Sequence, residues 1–257
     1  MITLRFLGTG TSSGIPVLGC QCATCCSADP KDRRFRTSAY LTTAAGARIL
    51  IDVSPDFRLQ ALKHRIHWLD GVLITHPHND HIGGLDELRQ LNFLMKRNIG
   101  IYGNALALQD IRKRFDYVFK ETQRGGGKPQ LDLHLIEAHQ AFAIKDQSIL
   151  PIEVMHGQLG ILGYKMDGLA YITDASYLAP ATLASLADAE ILVINALRFK
   201  PHSTHFSLEQ TLQAIQQIQP QTAYLVHMTH DIKHAAVEPT LPANVHLAYD
   251  DLEVTVT

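Results

Sequence analysis

Short apolar runs bounded by polar turns alternate along this chain with stretches whose apolar positions recur every three or four residues. Read by period, the runs near 2–7, 38–43 and 47–52 predict strands, and a helix follows near 56–64. Gly71-Val72-Leu73-Ile74 predicts a buried strand that leads straight into Thr75-His76-Pro77-His78. Leu85, Leu88, Leu91, Phe93 and Leu94 form a stripe that predicts a helix near 84–95. A strand near 99–102 and a helix near 105–117 close the first half. The second half predicts strands near 133–136, 149–155, 161–166 and 169–173, then a helix near 180–187. A strand near 190–195, a helix near 207–218 and strands near 222–226, 245–248 and 252–256 follow. Strand-rich stretches that end in helices, twice over, predict an α/β layered fold: a sandwich of sheets covered by helices on both outer faces.

Composition narrows the function classes. With 46% hydrophobic residues among 257, the chain has apolar material for a sizeable core, and no repeat or linker divides it, so one domain over 1–257 is expected. A net charge of −2 supplies no global field for nucleic acid or an anionic membrane. No apolar run approaches the ~20 residues that span a bilayer. The first residues read as a strand rather than a secretory leader, so a cytoplasmic location is expected. Lys120 to Gln130, with three consecutive glycines between charges, predicts a mobile surface loop.

Cys20, Cys22, Cys25 and Cys26 crowd into one short segment. That crowding suits clustered thiolates on a metal better than a disulfide framework, which would spread its bridges over the fold. A second cluster is His76-Pro77-His78-Asn79-Asp80-His81, directly after the buried strand. A strand end is a rigid platform, and four imidazole or carboxylate donors on six residues can converge from such a loop on zinc or manganese.

The stretch Thr75-His76-Pro77-His78-Asn79-Asp80-His81-Ile82-Gly83-Gly84 resembles the signature of the metallo-β-lactamase superfamily. The resemblance implies a four-layer αββα sandwich and two divalent ions, zinc or manganese. It implies that His76, His78 and His156 hold one ion, that Asp80, His81 and His227 hold the other, and that Asp174 bridges them. Asp52, at the end of Ile49-Leu50-Ile51-Asp52, matches an earlier family aspartate that orients a ligand histidine. Cys20, Cys22 and Cys25, with His230 three residues after His227, resemble the structural zinc site of the phosphonate-pathway cyclic phosphodiesterases. Cys26 is left over and reads as a buried or idle thiol.

Within that resemblance, hydrolysis of a small, often cyclic, phosphodiester by a metal-bridging hydroxide is the expected activity. His205 matches the non-ligand catalytic histidine of these enzymes, and Asp80 is counted as catalytic as well as ligating. His205 would protonate the leaving alkoxide or stabilise the phosphorane oxygens. Gly8 to Gly14 could offer backbone N–H groups to a phosphate, or serve only as a tight turn toward the cysteines. Histidines 64, 67, 134, 139, 202, 234 and 246 read as surface or structural. The expected partner is a small-molecule phosphodiester, with neither nucleic acid nor membrane and with a homodimer left open. Three alternatives remain: a tRNase Z-like nuclease, a redox protein like the pyrroloquinoline-quinone biosynthesis protein B, and a non-catalytic metal-stabilised binding module. The nuclease would carry a Gly/Pro-rich clasping arm and a basic face, and neither is visible in the sequence.

Overall fold

A computed structural model describes residues 1–121 and 127–256, so the middle of the glycine-rich loop expected over 120–130 lies outside the described residues. In chain order the strands are β1 (Ile2–Gly8), β2 (Ser38–Thr43), β3 (Arg48–Ile51), β4 (Gly71–Leu73), β5 (Ile99–Gly103), β6 (Leu131–Leu135) and β7 (Phe142–Ile144). Then come β8 (Gln147–His156), β9 (Leu159–Met166), β10 (Leu169–Tyr171), β11 (Ile191–Asn195), β12 (Thr222–Val226), β13 (Val245–Leu247) and β14 (Glu253–Val256). They form two seven-stranded sheets, β14-β1-β2-β3-β4-β5-β6 and β13-β12-β11-β10-β9-β8-β7. In each sheet one half is antiparallel and the other, β3 to β6 or β10 to β13, is parallel.

The helices are α1 (Phe57–His64), α2 (Asn79–Ile82), α3 (Leu88–Met95), α4 (Ala105–Arg114), α5 (Asp116–Phe119), α6 (Pro180–Leu186), α7 (Leu208–Ile218) and α8 (His234–Val237). Their starts carry a local cause. Ser207 and Gln210 form a reciprocal capping box at the head of α7, and the Asn104 side chain accepts from Ala107 N at the head of α4. Three separate apolar cores define four layers. One lies between α1, α3, α4 and the first sheet, one between the two sheets, and one between the second sheet and α6, α7. This is the αββα sandwich.

The helix expected over 84–95 opens as a 3-10 turn and continues directly as α3. A short 3-10 turn (Leu85–Glu87) separates α2 from α3. At Gly84, ahead of this turn, the backbone packs so closely on Ser54 that a Cβ would stand 2.1 Å from the Ser54 carbonyl oxygen. The buried face is then Leu85, Leu88, Leu91 and Met95, whereas Phe93 and Leu94 of the expected stripe are exposed. The short β7 was not foreseen, because three residues carry too little period to register.

Two contacts stitch the sheets together beneath the β4 exit. Tyr164 Oη donates to Ile74 O at 2.5 Å, and Leu162 N donates to Thr75 O at 3.0 Å. Asp52 follows β3, Thr75 to His81 follow β4, Asp174 follows β10 and His227 follows β12, while His156 ends β8. The chemistry-bearing residues therefore gather largely at the carboxyl ends of the parallel strands, the usual crevice of α/β sheets.

A candidate dinuclear metal centre and a cysteine–histidine site

Three residues at these strand exits leave the ordinary backbone regions: Asp52, Asp174 and His227 have φ of 59°, 58° and 56°. Left-handed backbone is uncommon outside glycine, though Asp and His tolerate it better than most. At each position the chain turns sharply off its strand, which swings the side chain into the crevice instead of along the sheet. Asn195 braces the Asp174 turn, accepting from Ala175 N at 2.6 Å and donating to Ala175 O at 3.0 Å.

The turns bring together two donor sets, His76, His78, His156 and Asp174, and Asp80, His81, Asp174 and His227, with Asp174 common to both. These are the seven residues expected as ligands, divided as expected. Asp174 Oδ2 stands 3.6 Å from both His76 Nε2 and His81 Nε2. His81 Nε2 is 3.3 Å from Asp80 Oδ2, and His227 Nδ1 is 3.0 Å from Asp174 Oδ1.

Hydrogen bonds at the far side of three rings decide which nitrogen is free. His81 Nδ1 donates to Asp52 Oδ2 at 2.7 Å. Thr75 Oγ1 donates to the same carboxylate at 2.8 Å, so its lone pair accepts from His76 Nδ1 at 3.0 Å. His156 Nδ1 faces the carbonyls of Asp174 and Thr204 at 2.8 and 2.6 Å. In all three the Nε2 lone pair is left for the centre, as ligand histidines require.

The donor sets fit divalent ions. Imidazole and carboxylate are the ligands of zinc and manganese. Buried His81 Nε2 and His227 Nδ1 have no hydrogen-bond partner of acceptable geometry, which inside a protein calls for some other counterpart. The local electrostatics agree except at His81, where burial would lower the pKa but Asp80, Asp174 and Asp52 raise it well above its ordinary value, so that an ion there would displace a proton. Burial would raise Asp174 and Asp80, but His227 and His81 beside the first, and His81 and His227 beside the second, hold both below the usual carboxylate range. Burial pushes His76 well down and His227 to about 4, so these rings are neutral and free to ligate.

His205 is not in either donor set. Its Nε2 lies 3.1 Å from Asp174 Oδ2, and its ring stacks on His227 with centroids 5.1 Å apart. On its far side Nδ1 meets Thr204 Oγ1 at 3.0 Å and His202 Nδ1 at 3.2 Å. A second site stands apart from the crevice. Cys20, Cys22 and Cys25 place their sulfurs 3.2, 3.5 and 3.5 Å from His230 Nδ1, the one-nitrogen, three-sulfur set expected. Cys26 is exposed and outside it.

In the loop from Gly8 three backbone amides already have partners. Gly10 N donates to Phe35 O, Thr11 N to Met228 O and Gly14 N to Thr11 O, so these groups are already taken. A Cβ at Gly8 would fall 2.0 Å from Arg36 O, so the glycine serves close backbone approach. Four residues that touch the site carry no spacing signal of their own: Thr11, at 3.2 Å from His227 Nε2, Thr75, Thr204 and His202. His202, read from the sequence as surface or structural, abuts His205.

Comparison with known proteins places this geometry. A beta-lactamase superfamily domain matches residues 47–228. An octanoyltransferase of Porphyromonas gingivalis is 41% identical over 252 residues, covering 97% of this chain but 51% of that protein. The chain thus spans about half, or less, of the length of the curated relatives it matches. A crystal structure of a diphosphatase from the PhnP family is 35% identical, with a TM-score of 0.93 over 100% of this chain and 98% of that one. Zinc-bound PqqB from Methylobacterium extorquens, 18% identical over 99% of this chain and 100% of that one with a TM-score of 0.80, shares the fold. The chain belongs to the metallo-β-lactamase superfamily of metal-dependent hydrolases.

Proposed function

We propose that this protein is a phosphoesterase that binds two divalent ions, zinc or manganese, through His76, His78, His156, Asp80, His81, His227 and a shared Asp174. Its proposed substrates are small phosphodiesters, cyclic ones included. When bound, the two ions supply Lewis acidity and a nucleophile at neutral pH. The observation that carries the reading is His205: a half-buried imidazole, outside both donor sets, with Nε2 at 3.1 Å from the shared carboxylate. A ring so placed can hand a proton to a leaving alkoxide or hold charge on a non-bridging phosphoryl oxygen. Asp80, counted as catalytic as well as ligating, and His81 belong to the second donor set, and Asp52 would set the orientation of His81. The cysteine–histidine set would hold a separate, closed structural zinc, with no open position for chemistry.

The diphosphatase relative supports a small phosphate-ester substrate. The name octanoyltransferase belongs to a relative about twice as long and carries no acyl-transfer reading to this chain. Among the described residues no helix is long and apolar enough to cross a membrane. The test is protein stripped of metal and reloaded with Mn²⁺ or Zn²⁺. It is offered cyclic ribose phosphates, a bis-aryl phosphodiester, diphosphates, phosphomonoesters and pre-tRNA. Turnover of small diesters above monoesters is expected. Faster cleavage of pre-tRNA than of every small substrate would replace this reading with the nuclease.

A further inference from the structure

The two sheets end in the edge strands β6, β7, β13 and β14. β7 and β13 hold three residues each and β14 holds four, whereas β6 holds five, Leu131-Asp132-Leu133-His134-Leu135. An open edge offers its backbone groups to another strand, and proteins usually guard it with lysine, proline or a bulge. β6 contains neither lysine nor proline, and its register with β5 runs from Leu131 to Leu135 without a shift.

The direction of each backbone group on β6 follows from the bonds at its two ends. Ile99 N donates to Gln130 O at 3.0 Å, and Ile136 N donates to Gly103 O at 3.1 Å. Backbone groups along a strand point to alternate sides, so Asp132 and His134, like Gln130 and Ile136, turn theirs toward β5. Leu131, Leu133 and Leu135 turn theirs outward, where they find no partner among the described residues. The side chains on the other period are already held. The His134 ring stacks on Tyr102 with centroids 4.6 Å apart and planes 15° apart. That separation is close to the ~4.8 Å between neighbouring strands, so the ring stands upright on the sheet with its second face toward the open edge. Asp132 Oδ1 accepts from Asn98 Nδ2 at 2.8 Å. Leu131 belongs to the core beneath the helices and Leu133 packs against it, whereas Leu135 is 60% exposed.

This strand is complementary to itself. In an antiparallel pairing centred on Leu133, that residue meets the partner's Leu133, and Leu131 meets the partner's Leu135. These are the residues whose N–H and C=O face outward, so each pair exchanges two backbone bonds. Asp132 then stands opposite the partner's His134 at the closer, non-hydrogen-bonded position, a carboxylate beside an imidazole that can donate to it. On the opposite face the leucines form one apolar row that covers Leu135. Other two-fold registers lose these matches. Centred on Leu131, Leu133 meets the partner's Pro129, which has no N–H to give. Centred on Asp132, carboxylate faces carboxylate.

We propose that β6 is the interface of a two-fold homodimer, in which β6 of each copy pairs antiparallel about Leu133 and the first sheets of both copies become one continuous sheet. The surface is independent of what the crevice hydrolyses. Sedimentation equilibrium of the metal-loaded protein should give twice the 28.5 kDa of one chain, falling toward one chain on dilution. His134→Asp sets like charges opposite each other at both ends of the pairing, and should raise the dimer dissociation constant on the order of tenfold. Adding Asp132→His to it swaps the pair and should restore the dimer. Leu135→Lys, at an exposed position, gives the edge the residue that guards natural edges and should also dissociate the copies. Unchanged melting of the monomeric variants shows that each still folds. Backbone hydrogen exchange reads the strand itself: the Leu133 and Leu135 amides should exchange slowly in the dimer and quickly on dilution. A single-chain mass at every concentration would overturn the proposal. So would a dimer indifferent to His134→Asp and Leu135→Lys, or a charge swap that stays dissociated. Slow exchange of both amides at single-chain mass would place some other segment on this edge and would equally overturn it.

Discussion

His81 Nδ1 and Asp52 Oδ2 lie 2.7 Å apart, and neither side chain has exposed surface. Asp52 also accepts from Thr75 N and Thr75 Oγ1, both at 2.8 Å, so it orients His81 directly and His76 through a hydroxyl. Burial tends to raise the Asp52 pKa, and His81 opposes it; burial tends to lower His81, and Asp80, Asp174 and Asp52 more than reverse this. Asp52→Asn keeps the shape and tolerates the φ of 59°, but removes the charge that makes the imidazole a strong donor. Metal affinity should fall about 10–100-fold, the usual effect of losing such a partner. Competition against a graded chelator reads it, and an unchanged affinity would deny Asp52 this role.

His205→Ala separates proton transfer from metal binding. The variant should keep its full complement of crevice metals and lose about 10²–10⁴-fold in kcat, the range of general acid–base groups. The loss should shrink for an acidic phenol leaving group, which departs without a proton. His78→Ala and Asp174→Ala should instead lose metal and activity together. Metal analysis alongside the kinetics tells the two patterns apart, and metal loss in His205→Ala would make it a ligand.

The clustering of these candidate ligands was legible because the residues are chemically conspicuous and sit at apolar runs: His76 to His81 after Gly71–Ile74, His156 at the end of β8, His227 after Tyr224-Leu225-Val226. Period separates strands from helices, enough for a layered α/β fold, whereas the four-layer order was implied by the superfamily resemblance. What stayed hidden depends on distance in space. Nothing in the spacing of Thr75, Thr204 or His202 marks them, because threonine and loop histidine are common and their role exists only once the loop folds back. The close packing of Gly84 on Ser54, thirty positions earlier, was hidden too.

Tyr164→Phe tests how far the crevice depends on the contact between sheets. The Tyr164 hydroxyl is fully buried and donates to Ile74 O just before the ligand loop. Removing it leaves a buried carbonyl without that donor, a loss of about 1–3 kcal/mol. No cavity forms, because the ring stays. Denaturant melts of the metal-loaded protein should show that drop with an unchanged slope. A drop well below it would mean that Ile74 O finds another donor.

The cysteine–histidine site ties the loop after β1 to the segment after β12, across nearly the whole chain. Cys25 N donates to Cys22 Sγ, first among the causes that draw this thiol down to about 6, whereas burial pushes Cys25 up to about 11. Zinc binds thiolates, so loading must expel a proton from Cys25 at neutral pH, and acid must favour release. Wild type should therefore carry three ions per chain, one of them zinc that leaves slowly under chelation and faster as pH falls. Cys22→Ala should lose that ion, retain the other two and melt at a lower temperature without unfolding, since three apolar cores remain. Activity should decline only as far as the chain around His227 loosens. Two ions in wild type, or an unchanged count in Cys22→Ala, would show that these four residues hold no metal.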